Sequence, residues 1–281
     1  MDVGVTAFLT DRSMTPSALA MAAEERGYHS LYFPEHTHLP VRMAAPPSVV
    51  AGVRPEDYQR GLDPFASLAA ASTVTGQIRL GTGVALVAQH DPVTLAKTVA
   101  TIDHLSGGRF ILGVGYGWNR AEAEDHGVAF ASRRALLREH MLCMQALWDA
   151  ESATPAFHGE FIDLPPCYAW PKTVQQPRVR TLIGGAPGPK LFAAIAEFGD
   201  GWMPIGSSGI GAALPVLRQE LDAVGRDPKE LNVVPFGVVP DPGKLGYLAE
   251  IGVTEVVLRV PGGTSDEMLP TLDDYARFID L

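Results

Sequence analysis

Cysteine is scarce, with 2 among 281 residues. That is too few for a disulfide framework: Cys143 sits in an apolar helical run and Cys167 in a proline-rich connection. Charge is also sparse, at 19% of residues, and basic residues are outnumbered 22 to 32, for a net charge of −10. Without a run of lysine and arginine, sequence-independent nucleic-acid binding is excluded. No apolar stretch approaches the roughly 18 residues that a membrane span requires. The opening Met1-Asp2-Val3-Gly4 carries an acid where a secretory signal carries basic charge, so a cytoplasmic protein is expected.

What is present is a globular composition, 46% hydrophobic, with 29 glycines and 23 prolines as punctuation. Short β-rich apolar runs fall at Val3–Leu9, Ser30–Pro34, Arg79–Val87, Arg109–Gly115, Val179–Gly184, Trp202–Ile205, Asn232–Val239 and Glu255–Val260. Amphipathic segments such as Pro16–Arg26, Pro92–Leu105, Arg133–Trp148, Lys190–Phe198 and Ile210–Val224 separate most of them. Thr15-Pro16 opens a helix with a capping hydroxyl and a preset φ, and Gly27 closes it; Gly107-Gly108 repeats the closing device. Strands alternating with helices imply parallel pairing. Eight such runs predict one α/β domain over residues 1–281, a (β/α)8 TIM barrel with loop insertions at its C-terminal face. Two connections, Thr37–Arg60 and Ala150–Pro177, have the length of lids or binding loops.

In a barrel the chemistry lies at the C-terminal ends of the strands, which directs attention to four places. The second run ends in Glu35-His36-Thr37-His38, where a carboxylate beside a histidine suits proton transfer. His36 and His38 also have the alternation of a metal pair. A barrel hydrolase would need further ligands at later strand ends, however, and no histidine follows His158, so no metal is expected. Gly81 and Gly83 in the third run mark either a bulge under a ligand or simple inner-face packing. Gly113, Gly115 and Gly117 are not a dinucleotide fingerprint, since the third glycine comes one residue early and follows the fourth strand. Beside Tyr116 and Trp118 they suit either a surface for a flat ring or a glycine-rich turn with core aromatics. Gly184-Gly185-Ala186, ahead of the helix beginning near Lys190, offers backbone N–H groups to an anion.

The stretch Asp103-His104-Leu105-Ser106-Gly107-Gly108-Arg109-Phe110-Ile111-Leu112-Gly113-Val114-Gly115, with Gly184-Gly185-Ala186 and Gly199-Asp200-Gly201-Trp202, resembles the luciferase-like flavin and deazaflavin oxidoreductases. Pro34-Glu35-His36-Thr37-His38 and Gly117-Trp118-Asn119-Arg120 are similar to the actinobacterial branch that uses coenzyme F420, a 5-deazaflavin.

The resemblance implies a cofactor ring lying across the barrel mouth, faced by the acid–histidine pair Glu35 and His36, with the histidine handling the proton. It places Gly83-Val84 at a bulge, often a non-prolyl cis peptide, against the ring. Gly115 and Tyr116 would lie near the ring, Asn119 on its hydroxylated chain, and Gly184, Gly185 and Ala186 on its phosphate. His38, Tyr116, Trp118, Tyr168, Trp170 and Trp202 are the expected substrate-pocket lining. The implied activity is hydride exchange between F420 and a small organic substrate. The alternatives are an FMN-dependent monooxygenase on the same scaffold and a non-catalytic flavin-binding protein. Dimerisation through barrel helices is a further implication of the family.

Overall fold

The computed structural model describes residues 1–42 and 55–279; the middle of the expected Thr37–Arg60 loop therefore lies outside the described residues. The strands are β1 (Asp2–Thr6), β2 (Ser30–Phe33), β3 (Arg79–Thr82), β4 (Phe110–Val114), β5 (Phe157–His158), β6 (Asp163–Leu164), β7 (Thr181–Gly184), β8 (Gly201–Met203), β9 (Asn232–Val233), β10 (Phe236–Val238) and β11 (Glu255–Arg259). The helices are α1 (Pro16–Glu25), α2 (Pro55–Arg60), α3 (Pro64–Ser72), α4 (Pro92–Leu105), α5 (Arg120–Asp125), α6 (Arg133–Trp148), α7 (Pro189–Phe198), α8 (Ile210–Ala223), α9 (Pro242–Glu250) and α10 (Ser265–Ala276). Several start with the same device, an Asp or Thr side chain accepting from the first turn and a proline at its head, as at Thr15, Asp63, Asp91 and Asp241.

Nine strands form one curled parallel sheet in the order β10-β11-β1-β2-β3-β4-β7-β8-β9. The expected seventh strand is interrupted at Pro235, which has no N–H to give to a ladder. Its two halves become the two ends of the sheet order. Val234 N–H donates to Trp202 O at 2.9 Å and Phe236 N–H to Pro204 O at 2.7 Å, while Val257 N–H donates to Pro235 O at 2.9 Å. Residues 234–236 are thus bonded to β8 on one side and to β11 on the other. The expected third strand is shorter than its apolar run: Val87–Gln89 turns into a 3-10 helix.

Side chains alternate across the sheet. Tyr32, Ile111, Leu182, Met203, Val234 and Val257 form one cluster on the inner face, with Val84 and Phe236 packed on it. The other face meets the helices in the main core. Inner-face glycines make room for this cluster: a Cβ on Gly81 would lie 2.5 Å from the Tyr32 ring, and one on Gly113 2.1 Å from Thr82 O.

The N-terminal end of the sheet is pinned by charged side chains spent on backbone. Arg109 donates to the carbonyls of Ser106, Ile78, Ser72 and Thr75 at 2.6 to 3.3 Å. Asp103, fully buried, accepts from the N–H groups of Val174 and Gln175 and from the Gln175 amide.

Candidate active site

His36 leaves the C-terminal end of β2 and stands among aromatic rings from three other segments. Its ring centroid is 6.4 Å from Phe8, 5.3 Å from Tyr58 and 5.6 Å from Trp118. Its Nδ1 lies 2.8 Å from Glu122 Oε2, and the other oxygen of Glu122 accepts the Thr37 N–H at 3.1 Å. Burial pushes the Tyr58 phenol up to about 12, against the opposing pull of Arg259. It therefore stays a neutral donor at ordinary pH.

Glu35 does not turn towards His36. Its carboxylate is buried, accepting the Leu86 N–H at 2.5 Å and meeting His90 Nε2 at 2.7 Å. Burial works against a charge on His90, but the Glu35 hydrogen bond and charge outweigh it and raise the imidazole. The expected acid–histidine pair is thus exchanged for two: Glu122 with His36, and Glu35 with His90. Consecutive residues leaving a strand point to opposite sides, so neighbours in sequence find different partners. Glu122 was legible by another signal. Asn119 followed three residues later by Glu122 is the spacing of a helix cap, and Asn119 does accept the Glu122 N–H at 3.3 Å.

That cap also sets Asn119's position: it is buried at the head of α5. The Gly83–Val84 peptide is cis, as expected at the bulge. A Cβ on Gly115 would come within 2.3 Å of Val84 Cγ2, and one on Gly184 within 3.0 Å of Val84 Cγ1. These two glycines make the seat of the Val84 side chain. Phe236 backs Gly83 from the other side, at 2.2 Å from where its Cβ would be. Tyr116 is half-buried, with the Arg134 guanidinium 4.0 Å from its ring centroid and its phenol raised by burial.

Gly184 ends β7, and Gly185 to Gly188 run to the head of α7. Gly184 pairs with Met203 in the parallel ladder, and among the described residues the N–H group of Ala186 has no hydrogen-bond acceptor. The Gly185 carbonyl is held by the Trp202 indole N–H at 2.9 Å. Trp202 itself is fully buried and packs on Phe192 in the helix-facing core. It is not pocket lining: Met203 occupies the inner face, so the residue before it must face outward.

Tyr168 and Trp170 are also misplaced by the sequence reading. Both are exposed, Tyr168 at 84%, and the Trp170 carbonyl is bonded by Lys97 on the outer helix α4. The reason is topological. Their loop follows a helix and precedes strand β7, so it returns to the N-terminal end of the sheet. His38 sits on the exposed rim, bonded to Asp125 at 3.1 Å and to the Thr37 hydroxyl at 3.0 Å. Arg42 and His38 hold the Asp125 carboxyl below its usual range. No group of three or more potential metal-ligating side chains occurs among the described residues. Of the expected pocket residues, Trp118 stands beside His36, and Phe8, Tyr58 and Glu122 join it unforeseen.

Residues 16–239 match the family described as luciferase-like monooxygenase. An uncharacterized protein of Mycobacterium tuberculosis is 46% identical over 270 residues, covering 95% of this chain and 94% of its own. Among solved structures, a monooxygenase from Streptomyces bottropensis aligns with a TM-score of 0.78 at 20% identity, over 99% of this chain and 98% of that one. An F420-dependent secondary alcohol dehydrogenase, in complex with an F420-acetone adduct, aligns with a TM-score of 0.76 at 16% identity, over 100% and 99%.

Proposed function

We propose that this chain, which belongs to the luciferase-like monooxygenase family, exchanges a hydride between coenzyme F420 and a small organic substrate at the mouth of an eight-stranded barrel. The barrel reading counts β9 and β10 as one strand interrupted at Pro235, bonded to both β8 and β11. The observation that carries the activity is His36: its Nδ1 is engaged by buried Glu122 at 2.8 Å and its ring is flanked by Phe8, Tyr58 and Trp118.

A deazaflavin, when bound, supplies a ring carbon that gives or takes a hydride. The residues fit such a group. Val84 gives an aliphatic contact for a flat ring on the seat made by Gly115 and Gly184. The unengaged N–H group of Ala186, just before α7, suits a phosphate. His36 holds or moves the proton that accompanies hydride transfer, at the nitrogen not engaged by Glu122. Tyr58 and Trp118 orient the substrate and exclude water beside it. FMN with oxygen is the competing chemistry on this scaffold. No helix among the described residues is long and apolar enough to cross a membrane; a cytoplasmic enzyme acting on a diffusible substrate is the proposed setting.

Titrating the cofactor-free protein with F420 and with FMN, followed by cofactor fluorescence, tests the reading. Tight F420 binding with weak FMN binding is expected. FMN binding tighter by tenfold, about 1.4 kcal/mol, would transfer the assignment to an oxygen-using flavoprotein. Binding of neither would overturn both.

A further inference from the structure

We propose that Glu122 is a positioning residue that determines which nitrogen of His36 carries the proton. The inference rests on the proposed proton-handling role of His36. The two oxygens of Glu122 are separately occupied: Oε1 accepts the Thr37 N–H at 3.1 Å, and Oε2 lies 2.8 Å from His36 Nδ1. The side chain is 1% exposed, so water scarcely competes for either oxygen. Its backbone is fixed as well, because Asn119 accepts the Glu122 N–H at the head of α5.

A carboxylate has only lone pairs to offer, and a backbone N–H can only donate. Both contacts are therefore satisfied only if Nδ1 carries hydrogen. The neutral ring then leaves Nε2 bare, a proton acceptor on the side away from Glu122. When Nε2 takes a proton, the resulting cation keeps its carboxylate partner at Nδ1, and when it gives the proton up the same tautomer returns. Glu122 thus resets His36 to one state after each proton transfer, with no ring flip.

The arrangement makes Glu122→Gln a discriminating change. An amide has one acceptor oxygen and one NH2 group. The Thr37 N–H requires the oxygen, which turns the NH2 towards His36 Nδ1. That nitrogen must then lose its hydrogen, and the proton moves to Nε2. Glu122→Asp keeps two acceptors and serves as the conservative variant.

The test is the 15N NMR spectrum of histidine-labelled, cofactor-free protein above the ordinary imidazole titration range, with the His36 signals assigned by their loss in His36→Gln. The expected result is Nδ1–H in the parent and in Glu122→Asp, and Nε2–H in Glu122→Gln. The same tautomer in the parent and Glu122→Gln, or Nε2–H in the parent, overturns the proposal. The parent spectrum decides even if the Gln variant does not fold. In the F420-loaded enzyme, Glu122→Gln should lower kcat by about 10²-fold with KM little changed, and Glu122→Asp should recover most of it. Failure of F420 to bind would sink the functional reading while leaving the tautomer result standing.

Discussion

The buried carboxylate of Glu35 meets the part-exposed His90 Nε2 at 2.7 Å, a pairing that ties the end of β2 to the segment following β3. Between its anchor points lies the segment carrying the Gly83–Val84 peptide, and Glu35 grips that segment a second time through the Leu86 N–H. Because Glu35 raises the His90 imidazole, the pair favours folding most where His90 is charged. Its contribution is complete below about pH 6.5, the ordinary histidine value, and is lost as pH rises through the raised value. His140, lowered by burial, acts in the opposite sense. The measurement is therefore the difference between parent and His90→Gln in thermal unfolding across pH 5 to 9. The difference should be about 1.5–3 kcal/mol at the acid end and shrink towards the alkaline end. A difference independent of pH would refute the linkage.

The seat of Val84 predicts a compensating pair. Gly115→Ala puts a methyl group 2.3 Å from Val84 Cγ2 and should cost about 1–3 kcal/mol, with weaker cofactor binding. Adding Val84→Ala removes the obstructing methyls. It should restore most of the stability, but not the cofactor affinity if the valine side chain is what touches the ring. Calorimetry and a fluorescence titration on the two variants separate these effects.

Trp202→Phe keeps the bulk of a buried ring but removes the hydrogen bond to Gly185 O. We expect a loss of about 0.5–1.5 kcal/mol in stability and a rise in cofactor Kd. Substrate KM should not move, because Trp202 lies behind the sheet. A KM effect larger than the Kd effect would place Trp202 in the pocket after all.

Trp170→Ala and Tyr168→Ala should leave turnover and KM unchanged. Both side chains are exposed, on a loop bonded to the outside of α4. A steady-state comparison with the parent is sufficient, and a several-fold KM increase in either variant would contradict the placement.

The alternation of strand and helix was readable from the chain, since each apolar run and capping proline reports local geometry. The division of labour at the site was only partly so. The stretch Asp103–Gly115, which carried the family resemblance, is largely scaffold: Asp103 and Arg109 spend their charges on backbone at the end of the sheet away from His36. Its Gly113 and Gly115 are kept by close approach of Thr82 and Val84, and its Gly107 and Gly108 by positive φ. Glu35 and His36 stand out in the sequence as a pair, yet adjacency suggests a couple that the strand geometry separates. Trp202 was misread because one residue of register moves a side chain to the other face of the sheet. Tyr168 and Trp170 were misread because the length of a loop says nothing of which end of the sheet it serves. Phe8 and Tyr58 carry no motif, and only folding brings them to His36.

The four tryptophans are distributed so that the protein carries its own optical gauge. Trp148 and Trp202 are sealed in the core and Trp170 stands on the outer wall, so none of them senses the mouth. Trp118 alone has its indole beside the His36 ring, at 5.6 Å. A protonated imidazole accepts an electron from an excited indole more readily than a neutral one. The ultraviolet emission of the unlabelled protein, compared with that of Trp118→Phe, therefore reads the charge on His36 in real time, without a substrate and without a dye.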